Sequence, residues 1–217
     1  MNLIDQIKYG NLSKEYSEII SEPDKLSIKL NKLGLYKPLF KISPPSNSSL
    51  RTKKELENLV KYTNNISEVV LEFCKRADTN SFDIFLDFLK RHGIYDTTEE
   101  DLYSVIRAVE PLMLKLKKHY NRPRPFQLAY YYDLDLHVLN ESDTANTPSY
   151  PSGHALEAYV MAEKLAEKYP KHSYKLRRLG KLIGLSRLLL GVHYRSDYDF
   201  ARYVGKLIIK NDLIEPL

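Results

Sequence analysis

The stretch KKHYNRPRPF (117–126) places Lys117, Lys118, Arg122 and Arg124 within eight positions, with His119 among them. That density of positive charge is unfavourable unless an anion meets it. TPSYPSGHALEAYV (147–160) puts two prolines before Ser152 and a helical pattern directly after it. Ser152 is therefore a candidate N-cap, Gly153 lets a ligand approach the backbone, and the free N–H groups of a helix start attract phosphate. His154 stands on that first turn. In SRLLLGVHYRSDYD (186–199), Arg187 interrupts an apolar run, and His193 and Asp197 follow four residues apart. A carboxylate within reach of an imidazole fixes its tautomer and stabilises its charged form. Each stretch alone has a bland reading: a snorkelling or paired arginine, a structural histidine, a chance His-x-x-x-Asp.

Together they read Lys117-x6-Arg124-Pro125, Pro151-Ser152-Gly153-His154, and Ser186-Arg187-x5-His193-x3-Asp197. This tripartite order resembles the type 2 phosphatidic acid phosphatase (PAP2) and vanadium haloperoxidase superfamily. Within it the chain is most similar to soluble bacterial class A acid phosphatases, a likeness that includes PPSNSSLRTKKELENL (44–59) and covers about 45–210.

The resemblance implies a metal-independent acid phosphatase without cofactors, acting on soluble monoesters or short diphosphates. His193 would attack phosphorus to give a phosphohistidine, Asp197 would hold the far ring nitrogen, and His154 would protonate the leaving alkoxide and then activate water. Lys117, Arg124 and Arg187, with the Ser152 hydroxyl and the Gly153 amide, would hold the phosphoryl oxygens. Preorganised donors of that kind are usually the largest catalytic contribution. Arg122 is left open between widening the positive field and meeting a carboxylate such as Glu110, and Lys118 is assigned to the surface. His92, His119, His137 and His172 are left outside the site.

Rival readings are a vanadium-dependent haloperoxidase, a metal hydrolase using His154, His193 and Asp197, and a non-enzymatic basic module built on the cationic helix 180–196. Arginines beside a divalent cation argue against the metal hydrolase. The small phosphorylated substrate is the expected partner, nucleic acid is not, and a homo-oligomer is compatible with the tyrosine-rich surface.

Nearly every long segment has helical period: 53–75, 81–92, 99–119 with Thr98 as cap, 153–169, 173–190, and about 197–210 with Ser196-x-x-Asp199 as a capping box. Strand signals are confined to short pieces such as 128–132. The expected fold is an all-α, compact multi-helix bundle of the PAP2/haloperoxidase type. Residues 1–45 read as an N-terminal helical extension packed on a core at 46–217, with the long loop 125–152 between two strong helices. The 217 residues suffice for one sizeable core, and a net charge of +5 with pI near 9.0 suits an anionic ligand without selecting one. The single Cys74 excludes an intramolecular disulfide and a cysteine-based zinc site. The absence of a signal-peptide pattern and of any run approaching transmembrane length predicts a cytoplasmic protein without an integral membrane segment.

Overall fold

The computed structural model describes residues 2–140 and 145–217, and among them all regular structure is helical. Eleven α-helices follow in order: α1 Lys14–Ser21, α2 Lys25–Lys32, α3 Tyr36–Leu39, α4 Leu50–Asn64, α5 Glu68–Thr79, α6 Ser81–Arg91, α7 Glu99–Tyr120, α8 Pro125–Ala129, α9 Gly153–Lys168, α10 Ser173–Leu189 and α11 Arg195–Lys210. The all-α expectation holds.

Local chemistry sets the boundaries. Ser13, Asp24, Ser49 and Thr98 each accept a hydrogen bond from the third helical N–H at their helix start. Thr98 and Asp101 complete a reciprocal capping box. The single helical pattern at 53–75 is in fact two helices. Asn65 turns its side-chain amide onto the Lys61 carbonyl at 2.7 Å, and α4 ends there. Residues 128–132 are helical, forming the end of α8 and a 3-10 turn over Tyr130–Tyr132.

The last helix starts earlier than its sequence signal. Tyr194 occupies the N-cap position, and Asp197, not Asp199, accepts its N–H at 2.9 Å. Ser196 cannot cap because its hydroxyl donates to Glu55 at 2.7 Å and accepts from Arg122 at 2.8 Å. Asp199 pairs with Arg195 instead.

Helix α9 runs through the middle, packed against α10, α11 and α7. Apart from Lys164, its buried side chains are small or aliphatic: Ala155, Ala158, Ala162 and Ala166 alternate with Leu156, Val160, Met161 and Leu165. The crossing with α10 is close because Gly180 and Gly184 face it. A Cβ on Gly180 would lie 2.6 Å from the Ala158 carbonyl oxygen. The N-terminal helices α1 and α2 lie on α7, and Leu26, Leu30 and Leu39 enter the same apolar core as α7 and α9. Among the described residues no helix is long and apolar enough to cross a membrane.

Candidate active site

The three sequence stretches meet at one end of α9. Lys117 lies on the last turn of α7, Arg124 at the N-terminal edge of α8, His154 on the first turn of α9, and His193 and Asp197 on either side of the α11 start. A cavity of about 440 Å³ opens over them. Lys117, Arg124, Gly153, His154 and His193 line it, while Ser152, Arg187 and Asp197 sit behind its wall.

His193 is buried, 2% exposed, and each ring nitrogen has a partner. Nδ1 is 3.1 Å from Asp197 Oδ2, and Nε2 is 2.9 Å from Arg124 Nη1. A carboxylate can only accept and a guanidinium can only donate, so Nδ1 carries the proton and Nε2 keeps its lone pair. Burial, then the positive charge of Arg124 and Lys117, hold the imidazole well below the usual histidine range. The ring is therefore neutral, with its basic nitrogen at the guanidinium.

Asp197 is fully buried and is held by four donors: the imidazole, the Ser149 hydroxyl, the Tyr194 backbone N–H and Arg122 Nη1 at 2.6 Å. Arg122 is thereby resolved. It does not face Glu110 at the surface; its guanidinium lies over the Tyr194 ring at 3.8 Å from the centroid and is fixed between Asp197, Ser196 and Glu55. Its work is to position Asp197. Lys118 is exposed, as expected.

Arg124 is oriented by the backbone. Nε donates to the Thr147 carbonyl at 2.8 Å and Nη1 to the Val192 carbonyl at 2.9 Å. Lys117 Nζ donates to the Pro148 carbonyl. The expected loop is thus a supporting frame on its Thr147–Ser152 side; its 141–144 portion lies outside the described residues.

Arg187 pairs with buried Asp78, which sequence reasoning missed. The same Asp78 presents its backbone carbonyl 3.3 Å, and its carboxylate 3.8 Å, from His154 Nε2. One acid from the end of α5 therefore anchors a cation and a histidine of the site. Burial, reinforced by Arg187, pushes His154 down to about 3, against the pull of Asp78. Ser152 stands at the α9 N-cap position but makes no capping bond, and its buried Oγ has no hydrogen-bond partner among the described residues. His92, His119 and His137 are exposed and His172 half-buried; none lines the cavity. Among the described residues, no group of three His, Cys, Asp or Glu side chains could hold a metal ion.

Two further acids stand in the cavity wall: Glu110, which the sequence suggested only as a surface partner for Arg122, and Glu157, which it did not mark. Burial, then Glu110, pushes Glu157 up to about 7; burial, then Glu15, raises Glu110.

The PAP2 superfamily model matches residues 102–210, a span holding all three motifs. The chain belongs to the PAP2 superfamily. Curated relatives are the non-specific acid phosphatases of Salmonella typhimurium, 38% identical over 89 residues, and Providencia stuartii, 35% identical over 89 residues. Each of these matches covers 41% of this chain and 35% of the relative. An acid phosphatase of Zymomonas mobilis is 35% identical over 86 residues, 38% of this chain and 31% of that one. The matched segment thus spans about a third of the length of these curated relatives. Among solved structures, a transmembrane PAP2 type phosphatidylglycerolphosphate phosphatase from Bacillus subtilis superposes with a TM-score of 0.51. It shares 22% identity, over 86% of this chain and 95% of that one, and shows the PAP2 fold.

Proposed function

We propose that this PAP2 protein is an acid phosphatase that hydrolyses small phosphate monoesters or short diphosphates through a phosphohistidine and without a metal ion. The observation that carries the reading is the state of His193: a neutral ring with Nδ1 committed to Asp197 and the Nε2 lone pair directed at Arg124, beside a cavity lined by Lys117, Arg124 and His154.

A bound phosphoryl group draws the Arg124 guanidinium onto its oxygens, which frees Nε2 to attack phosphorus in line. The lone pair forms the P–N bond as the ester P–O bond breaks. His154 gives its proton to the departing alkoxide, then removes one from the water that attacks phosphorus, and the P–N pair returns to His193. Asp197 balances the positive charge on the ring during the intermediate. Lys117, Arg124 and the Gly153 amide hold phosphoryl oxygens from the cavity wall, with Ser152 Oγ and the Arg187 charge behind them. Cations matched to a dianion supply the stabilisation that a metal pair supplies elsewhere.

A panel of phosphate monoesters and diphosphates tests the reading with wild type and His193→Ala, with and without chelator and vanadate. The expected result is turnover of at least one substrate by wild type, unaffected by chelator and inhibited by vanadate, with the variant reduced by about 1000-fold or more. A variant as active as wild type would overturn the mechanism.

A further inference from the structure

The cavity extends well beyond the reacting groups, and its far part has the opposite polarity. Along α7 it is lined by Lys117, Glu110, Ile106 and Tyr103 on one helix face. At 1.5 Å per residue Glu110 lies about 10 Å from Lys117 along the axis, and Tyr103 about 21 Å. Across the cavity, α9 contributes Gly153 and, one turn on, Glu157, about 6 Å further along. Tyr16 of α1 and Phe82 of α6 complete this end. Among the described residues neither Glu110 nor Glu157 has a hydrogen-bond or ion-pair partner within its own fold.

Two half-buried carboxylates that make no hydrogen bond or close ion pair among the described residues, set one and two turns from the phosphate-holding groups, are costly to keep charged, although Lys117 and Arg187 act on Glu157 from a distance. A ligand that brings positive charge or N–H donors to them relieves that cost, and one that brings another anion adds to it. We propose that Glu110 and Glu157 form the leaving-group wall of this site and select monoesters whose alcohol carries an ammonium group a few bonds from the ester oxygen. They disfavour alcohols carrying a second anion. This rests on the phosphatase reading above and adds the chemical class of the leaving group. Tyr16, Tyr103 and Phe82 give the hydrocarbon part of such an alcohol an aromatic surface, and a cation beside these rings is favourable in itself.

The test uses three esters of nearly equal size: phosphoethanolamine with its ammonium, ethyl phosphate without further charge, and phosphoglycolate with its carboxylate. At pH 7.5 both carboxylates are expected to be ionised in substantial part, and kcat/KM should fall in that order, by about tenfold from first to last. A charge pair screened by a water-filled cavity is worth about that much. Glu110→Gln should compress the cation-to-anion ratio of kcat/KM at least threefold, and Glu157→Gln should compress it likewise. Equal rates on all three esters, or a ratio unmoved by both substitutions, would overturn the inference. Titrating the same esters calorimetrically against His193→Ala protein reads the preference without turnover. Binding in the predicted order by a protein whose wild type hydrolyses nothing would contradict the proposed activity and leave the leaving-group wall standing.

Discussion

At the residue scale the dominant fact is the desolvation of the site's histidines next to fixed cations. His154 is held at about 3 by burial and Arg187, and is therefore neutral near pH 6. A general acid must carry a proton when the alkoxide leaves. The incoming dianion reverses the local field and raises the histidine, so binding and protonation are linked. Sulfate, a dianion at this pH, titrated at pH 6.5 in buffers of different ionisation enthalpy should show net proton uptake, and His154→Ala should lower it. Proton release in the wild type would contradict the linkage. Arg122 and Asp78 act at one remove. Arg122 fixes the carboxylate that fixes the His193 tautomer, and Asp78 fixes Arg187 and His154.

At the element scale the site depends on how closely α9 and α10 approach, since the first carries His154 and the second Arg187. Gly180 lets the backbones meet. A Cβ there would be 2.6 Å from both the Ala158 carbonyl oxygen and the Ala162 Cβ, neither of which can swing aside. Gly180→Ala should therefore destabilise by about 1–3 kcal/mol despite its better helix propensity. For a chain of this size that is roughly 2–12 °C in Tm by thermal unfolding, and an unchanged or raised Tm would mean that the crossing is looser than described. The helices themselves were legible in the sequence because period and caps are local. Thr98 was readable in that way, as the cap of α7. The α4/α5 break and the true start of α11 were not, because Asn65 and Ser196 had to be seen choosing among partners, one local and one 141 residues away.

At the scale of the whole molecule the same contrast decides which site residues could be found. Lys117, Arg124, His154, His193 and Asp197 fell into a recognisable order along the chain, and folding brings the first four to one cavity with Asp197 behind His193. Asp78 lies 109 residues from Arg187, and Glu110 and Glu157 matter through the wall that α7 and α9 share, so no pattern in the chain marks them. The N-terminal helices raise a similar point. Leu26, Leu30 and Leu39 lie in the main core, and Tyr16 of α1 lines the cavity. We propose that residues 1–45 are structurally integral to the helical core. Leu30→Ala, at a fully buried position, should cost about 2–5 kcal/mol and lower Tm accordingly. A loss below about 0.5 kcal/mol would mark the segment as a detachable appendage.

The central claim is that the imidazole of His193 becomes covalently attached to phosphorus. Rapid acid-free quenching of the enzyme during turnover, followed by peptide mass spectrometry, tests it most directly. The expected product is one phosphate on His193, labile in acid, absent in His193→Ala and accumulating when His154 is replaced. A turning-over wild type with no phosphoenzyme at any quench time, together with an active His193→Ala protein, would contradict it.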